Sequence, residues 1–124
     1  ESEPPAYLGE TAEVDHSVVT RGSEVEGAVR NSVLSQRCTV AEGAEVEYSI
    51  LMPGAVVERG ARVAYAILGE NVRVGENARV GASPEAAPPE EWGITVVGPE
   101  AQVEAGRTLK ANRMLNREGK ETVR

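Results

Sequence analysis

One histidine, one cysteine and a knot of six cations near the C-terminus are the residues of this 124-residue chain with chemistry in them. His16 could act as the general base of an acyl transfer, a step that needs one imidazole at a cleft. Zinc chemistry of the three-imidazole kind is excluded by arithmetic, since the chain holds a single histidine. Cys38 stands alone, so no disulfide forms within the chain. No glycine-rich phosphate loop lies at a strand–helix junction, no acidic or histidine cluster has metal-ligand spacing, and no nucleophile is paired with a base. Catalytic residues, metal ligands and cofactors are therefore not expected in this chain alone. Residues 107–124 hold Arg107, Lys110, Arg113, Arg117, Lys120 and Arg124 against only Glu118 and Glu121. Two uses of these cations stand side by side. They could attach the tail to an acidic body, or capture phosphate, whose oxygens match the guanidinium fork.

The elements that must position these groups are written in a repeat. NSVLSQRCTVAEGAEVE (31–47), YSILMPGAVVERGARVA (48–64) and YAILGENVRVGENARVG (65–81) align without a gap at a period of 17 residues. Leu34, Leu51 and Leu68 share one column, Val40, Val57 and Val74 a second, and Val46, Val63 and Val80 a third. Steps of six, six and five residues leave a helical face out of phase, whereas a coil with three short flat sides points each of them at one axis. That is the hexapeptide signature of a parallel β-helix. Small residues two places before each aliphatic site, such as Ser32, Cys38 and Ala44, suit the narrow corners of a triangular prism. Gly43, Gly60 and Asn77 form one turn column and Gly22, Gly54 and Asn71 another, as left-handed corners demand. Arg37 breaks the second column and must carry strain there or turn differently. His16 shares a column with Asn31, Tyr48 and Tyr65, which reads as an exposed stacked ladder rather than a catalytic base.

The repeat continues with defects on both sides. Residues 16–30 match the next coil with two residues deleted at one corner, and 8–15 match 40–47. Residues 82–93, with Pro84, Pro88 and Pro89, cannot ladder and are expected to form an excursion loop before the coil resumes at Val97 and Val103. The division expected is a linker over 1–7, a β-helix of five to six coils over 8–106, and a basic C-terminal cap or tail over 107–124 that lies over the last coil. The net charge is −7, with +4 in residues 107–124 and −11 in the rest, which argues against nucleic acid or an anionic membrane as partner. There is neither a span-length apolar run nor a signal peptide, and one lone cysteine fits a cytoplasmic setting. The chain begins without Met and runs through Pro4 and Pro5, which reads as a piece excised from something longer.

The runs PPAYLG (4–9), SVVTRGSEVEGAVRNSVLS (17–35) and YSILMPGAVVERGARVAYAILGENVRVGENARVG (48–81) resemble the C-terminal β-helix domain of glucose-1-phosphate adenylyltransferase, also called ADP-glucose pyrophosphorylase. WGITVV (92–97) and RMLNREGK (113–120) are similar to the end of that family's chains. The resemblance implies a left-handed coil, which periodicity cannot reveal. It implies a missing N-terminal nucleotidyltransferase domain that makes ADP-glucose from ATP and glucose 1-phosphate for glycogen synthesis, and a homo- or hetero-tetramer in the parent. It also implies that the β-helix helps to bind a regulatory sugar phosphate, through Arg113, Arg117 and Lys110. Asn112 and Asn116 occupy flanking places where members often carry arginine, which fits either a differently tuned enzyme or a catalytically silent subunit. A hexapeptide acyltransferase and a non-catalytic scaffold remain as alternatives.

Overall fold

The aliphatic columns become the inner lining of a prism. In the computed structural model, which describes residues 3–124, the strands form three flat sheets around one axis. The first face is built from Tyr7–Leu8, Glu24–Val25, Thr39–Val40, Val56–Val57, Arg73–Val74 and Gln102–Val103. The second runs through Glu13–Asp15, Ala28–Arg30, Glu45–Glu47, Arg62–Ala64, Arg79–Val80 and Thr108–Leu109. The third holds Val18–Val19, Val33–Leu34, Ile50–Leu51, Ala66–Leu68, Thr95–Val97 and Arg113–Leu115, with Glu121–Val123 added at its end. All pairings are parallel except that last one, and successive coils contribute one rung to each face. Six coils result, and the geometry fits a left-handed β-helix of hexapeptide repeats.

Register follows the repeat. Val40 pairs with Val57 and Val57 with Val74, while Leu34, Leu51 and Leu68 stack on the third face. These residues are fully buried, as are the small ones between them, including Cys38, Ala44, Ala55 and Ala61. The small column at the corner between the second and third faces has a polar task. Ser32 Oγ donates to the Arg30 carbonyl at 2.8 Å and accepts the Ser49 N–H at 3.1 Å; Ser49 Oγ donates to the Glu47 carbonyl at 2.9 Å and accepts the Ala66 N–H at 3.2 Å. Backbone groups that the turn removes from the ladder are thus satisfied one coil at a time.

The corners carry the strain. Both glycine columns are left-handed, and Arg37 takes the same conformation at φ 59°, so it bears the strain rather than avoiding it. A third left-handed column, without glycine, comprises His16, Asn31, Tyr48, Tyr65 and Asn112 at φ 49–62°. Tyr48 and Tyr65 stack with ring centroids 4.8 Å apart, which offsets some of the ~1–2 kcal/mol that a side chain loses in this region. The two-residue deletion falls at Glu26–Gly27, where the pairing offset drops from 17 residues to 15. Gly27 is required there, because a Cβ would lie 2.4 Å from the Ala44 carbonyl oxygen.

Residues 82–93 leave the coil, with 3-10 turns at Pro84–Ala86 and Pro89–Glu91, and Leu68 then pairs with Val97. Residues 107–115 do not lie across the last coil. Leu109 pairs with Val80 and Leu115 with Val97, so they complete the sixth coil, with one extra residue at the Lys110–Asn112 corner. The chain reverses at 116–119, and Glu121–Val123 returns antiparallel to Arg113–Leu115. A hydrophobic pattern read at fixed spacing misses this coil because the extra residue shifts its phase.

Candidate functional site

The outer side of the second face is where the cations gather. Arg62 and Arg79 are exposed and in register, Cα opposite Cα on neighbouring rungs, with Glu45 before them and Thr108 after. Like charges at that separation repel. The excursion loop overhangs them. Trp92 meets Tyr65 edge-on at 6.1 Å, which ties the loop to the stacked tyrosines and leaves Ala86, Ala87 and Pro88 as an apolar wall. Between the loop and the face lies a groove of about 580 Å³ whose cations are Arg62, Arg79, Lys110 and Arg113.

Of the three expected phosphate ligands, two meet here and one does not. Lys110 stands on the lengthened corner. Arg113 occupies the column held by Ala66 and Thr95, and its half-buried side chain reaches the groove. Its Nε is buried without a hydrogen bond and lies 3.8 Å from Glu121 Oε2. Arg117 sits on the reversing turn at 116–119, outside the groove. Arg62 and Arg79 were not singled out by the sequence pattern; their outward places on consecutive rungs were the available signal, and only the fold of the loop gives them a cavity.

Ion pairing separates working cations from free ones. Arg30 holds Glu45 and Glu47 at 3.3 and 3.7 Å, Arg37 holds Glu3 at 2.8 Å, and Arg73 holds Glu58. Arg107 bridges Glu104 at 3.0 Å and Glu121 at 2.8 Å, clamping the final strand to the coil. Hydrogen bonds to Glu121 and Glu104 hold the Arg107 guanidinium even more firmly protonated, and a backbone hydrogen bond together with Arg107 draws the Glu104 carboxyl below its ordinary value. Among the described residues no ion pair engages Arg62, Arg79 or Lys110. Glu90 and Glu91 on the loop rim are the groove's remaining acids beyond the pair tied to Arg30. The arrangement suits a ligand with phosphate at one end and hydroxyls at the other.

The remaining candidates stand apart. His16 Nδ1 lies 2.8 Å from Asp15 Oδ1, the orientation a general base uses, but the imidazole is 78% exposed on its corner and lines neither this groove nor the smaller one around Arg21 and Glu70. Cys38 is buried against the Met52 carbonyl, 3.3 Å away, and burial pushes its thiol up. Among the described residues no three metal-ligating side chains converge, and no helix is long and apolar enough to cross a membrane.

Comparison with known proteins follows the same lines. The chain is 36% identical over 105 residues to the glucose-1-phosphate adenylyltransferase of Desulfitobacterium hafniense, covering 85% of this chain and 26% of that protein. It is 38% identical over 118 residues to the one from Acetivibrio thermocellus, covering 91% and 28%. The chain thus spans about a quarter of the length of the curated relatives it matches. Among solved structures it superposes on a perosamine N-acetyltransferase variant from Caulobacter crescentus, in complex with CoA and GDP-perosamine, at TM-score 0.55 and 17% identity, covering 96% of this chain and 54% of that one. The acetyltransferase domain of PglB from Neisseria gonorrhoeae gives 0.51 at 19%, covering 92% and 55%. At such identities the likeness is one of fold. The model of the GlmU-like, C-terminal hexapeptide family matches residues 5–108, and with six hexapeptide coils in place the chain belongs to that family.

Proposed function

We propose that this chain is the C-terminal β-helix domain of an enzyme of the glucose-1-phosphate adenylyltransferase kind, which makes ADP-glucose from ATP and glucose 1-phosphate for glycogen synthesis. The observation that carries this is the 36–38% identity along 85–91% of the chain, twice the 17–19% shared with acetyltransferases of the same fold. The domain supplies no catalytic group. It regulates and assembles a cytoplasmic tetramer whose catalysis resides in an N-terminal nucleotidyltransferase domain. Its regulatory ligand is a sugar phosphate, held by Lys110 and Arg113 with Arg62 and Arg79, while Arg117 serves the turn. Four cations around one groove, three of them without ion pairs, support this assignment.

The test is kinetic. In the full-length protein, Arg79→Ala with Lys110→Ala should raise the half-activating concentration of a sugar bisphosphate by about tenfold or more, as two lost charge-assisted contacts imply. Basal ADP-glucose synthesis should be retained. An unchanged activation curve removes the groove from regulation, and absence of ADP-glucose synthesis in an otherwise folded wild-type protein points to the silent subunit. Saturable binding of acetyl-CoA would favour acyl transfer instead.

A further inference from the structure

Glu121 is shared between two arginines with different tasks. Its Oε1 accepts a hydrogen bond from Arg107 Nη2 at 2.8 Å, the contact that ties the final strand to the coil. Its Oε2 lies 3.8 Å from Arg113 Nε, too far for a hydrogen bond but within reach of the charge. Arg113 lines the groove under the excursion loop, and its buried Nε has no hydrogen-bond partner. The carboxylate therefore holds Arg113 by charge alone. A carboxylate that aimed the guanidinium at a ligand would hydrogen-bond it, and this one does not. Phosphate carries more charge and more acceptor oxygens, and is the stronger anion for the same side chain.

The strand that carries Glu121 is weakly held. Glu121, Thr122 and Val123 are all exposed, so none of its side chains joins the core. Its attachments are the antiparallel ladder to Arg113–Leu115, the Arg107 clamp and the terminal residue. Arg124 Nη1 donates to the Ile94 carbonyl at 2.7 Å, and the Arg124 N–H donates to the Asn112 carbonyl at 2.9 Å. Segments held by polar contacts without buried apolar side chains open well below the free energy of global unfolding. Val123, opposite Arg113 in register, also lines the groove. One strand thus supplies part of the wall and restrains one of the cations. We infer that Glu121 is a built-in rival of the groove's ligand, and that Glu121–Val123 is a strap which phosphate loosens. With the strap closed, the carboxylate occupies the charge of Arg113 and repels an incoming anion. Once phosphate takes the guanidinium, the strap keeps Arg107 and loses Arg113. Such coupling is reciprocal: what phosphate does to the strap, the strap does to phosphate. The inference rests on the proposed reading that this groove takes phosphate.

Hydrogen exchange in the full-length protein tests it, with inorganic phosphate compared against chloride at matched ionic strength. Protection of the loop over 82–93 gives the half-saturating phosphate concentration, and the terminal peptide 116–124 reports the strap. Saturating phosphate should speed exchange of the terminal peptide about threefold, the size that an exposed charge pair supports. Glu121→Gln keeps an oxygen for Arg107 and removes the charge beside Arg113. It should lower the half-saturating concentration about threefold and abolish the acceleration. Glu118→Gln, on the turn at 116–119, makes the same change of net charge away from Arg113 and should alter neither. Terminal amides slowed or unmoved by phosphate while the loop is protected overturn the inference in the wild type, whether or not the variants fold. Unchanged or weaker binding by a folded Glu121→Gln protein overturns it as well. A loop unprotected at every phosphate concentration sinks the inference together with the phosphate reading of the groove. A protected loop and a loosened strap in a protein that makes no ADP-glucose support the inference and confine the failure to the enzymatic reading.

Discussion

Cys38 takes a place that Ala55 and Val72 take in the next two coils, and its thiol behaves as a small apolar group. Burial raises its pKa above the ordinary 9.0, against the opposing pull of nearby backbone N–H groups. The folded state therefore keeps the proton that the unfolded state gives up. Stability is intact below the ordinary thiol pKa and declines as pH rises beyond it. Cys38→Ala should flatten that alkaline decline, and native alkylation at pH 8 should be negligible until urea unfolds the chain. A native thiol that reacts at the unfolded rate would contradict the burial. Two neighbours on the first face separate inside from outside just as sharply. Val57→Asp forfeits ~1.5–3 kcal/mol of apolar burial and adds several kcal/mol for an unpaired buried charge, a sum comparable with the whole stability of a domain. Glu58→Lys, at the adjacent corner, breaks an ion pair with Arg73 and should cost about 1 kcal/mol or less. Melting temperatures of the two variants decide it, and equal values would refute the column assignment.

Elements show where sequence reading succeeds and where it stops. The three coils over 31–81 were legible because each column repeats at one spacing and each is buried. The shortened corner was legible as a deletion, yet its reason is spatial, since Gly27 faces two carbonyl oxygens, of Ala41 and Ala44. Gly43 is the opposite case, left-handed at φ 80° with nothing closer to a Cβ than 3.7 Å. Gly43→Ala should cost only the left-handed penalty of ~1–2 kcal/mol, while Gly27→Ala must displace backbone and cost more. Denaturant midpoints falling in the reverse order would show the corner to be looser than the geometry says. The left-handed column through Tyr48 and Tyr65 was read as a ladder but not as a backbone state, because glycine, the usual sign, is missing from it. The groove could be read only in part. Lys110 and Arg113 stand out as cations in a short tail, but Arg62 and Arg79 acquire a cavity only when a non-repeating loop folds back over them.

At the scale of the whole molecule, the two ends of the prism differ. The last coil is closed by the hairpin through Glu121–Val123 and locked by Arg107, whereas the first presents Leu8 and Val14 exposed. Between them every coil rests only on its neighbours, so the structure behaves as a stack of near-identical storeys. Its length is therefore quantised. Excising residues 48–64 joins Glu47 to Tyr65, which takes the place of Tyr48, and all later columns stay in phase. A five-storey prism should still fold cooperatively, with a lower melting temperature by circular dichroism. Removing one residue fewer or more leaves the miscount to be absorbed at the corner beside Tyr65, as the extra residue is at Lys110–Asn112, and should lower the melting temperature further. Growth or loss of this domain thus runs most easily in whole storeys of 17 residues, with the corner at Gly27, the excursion at 82–93 and the lengthened corner at Lys110–Asn112 as the three places where the count has been broken and the phase restored.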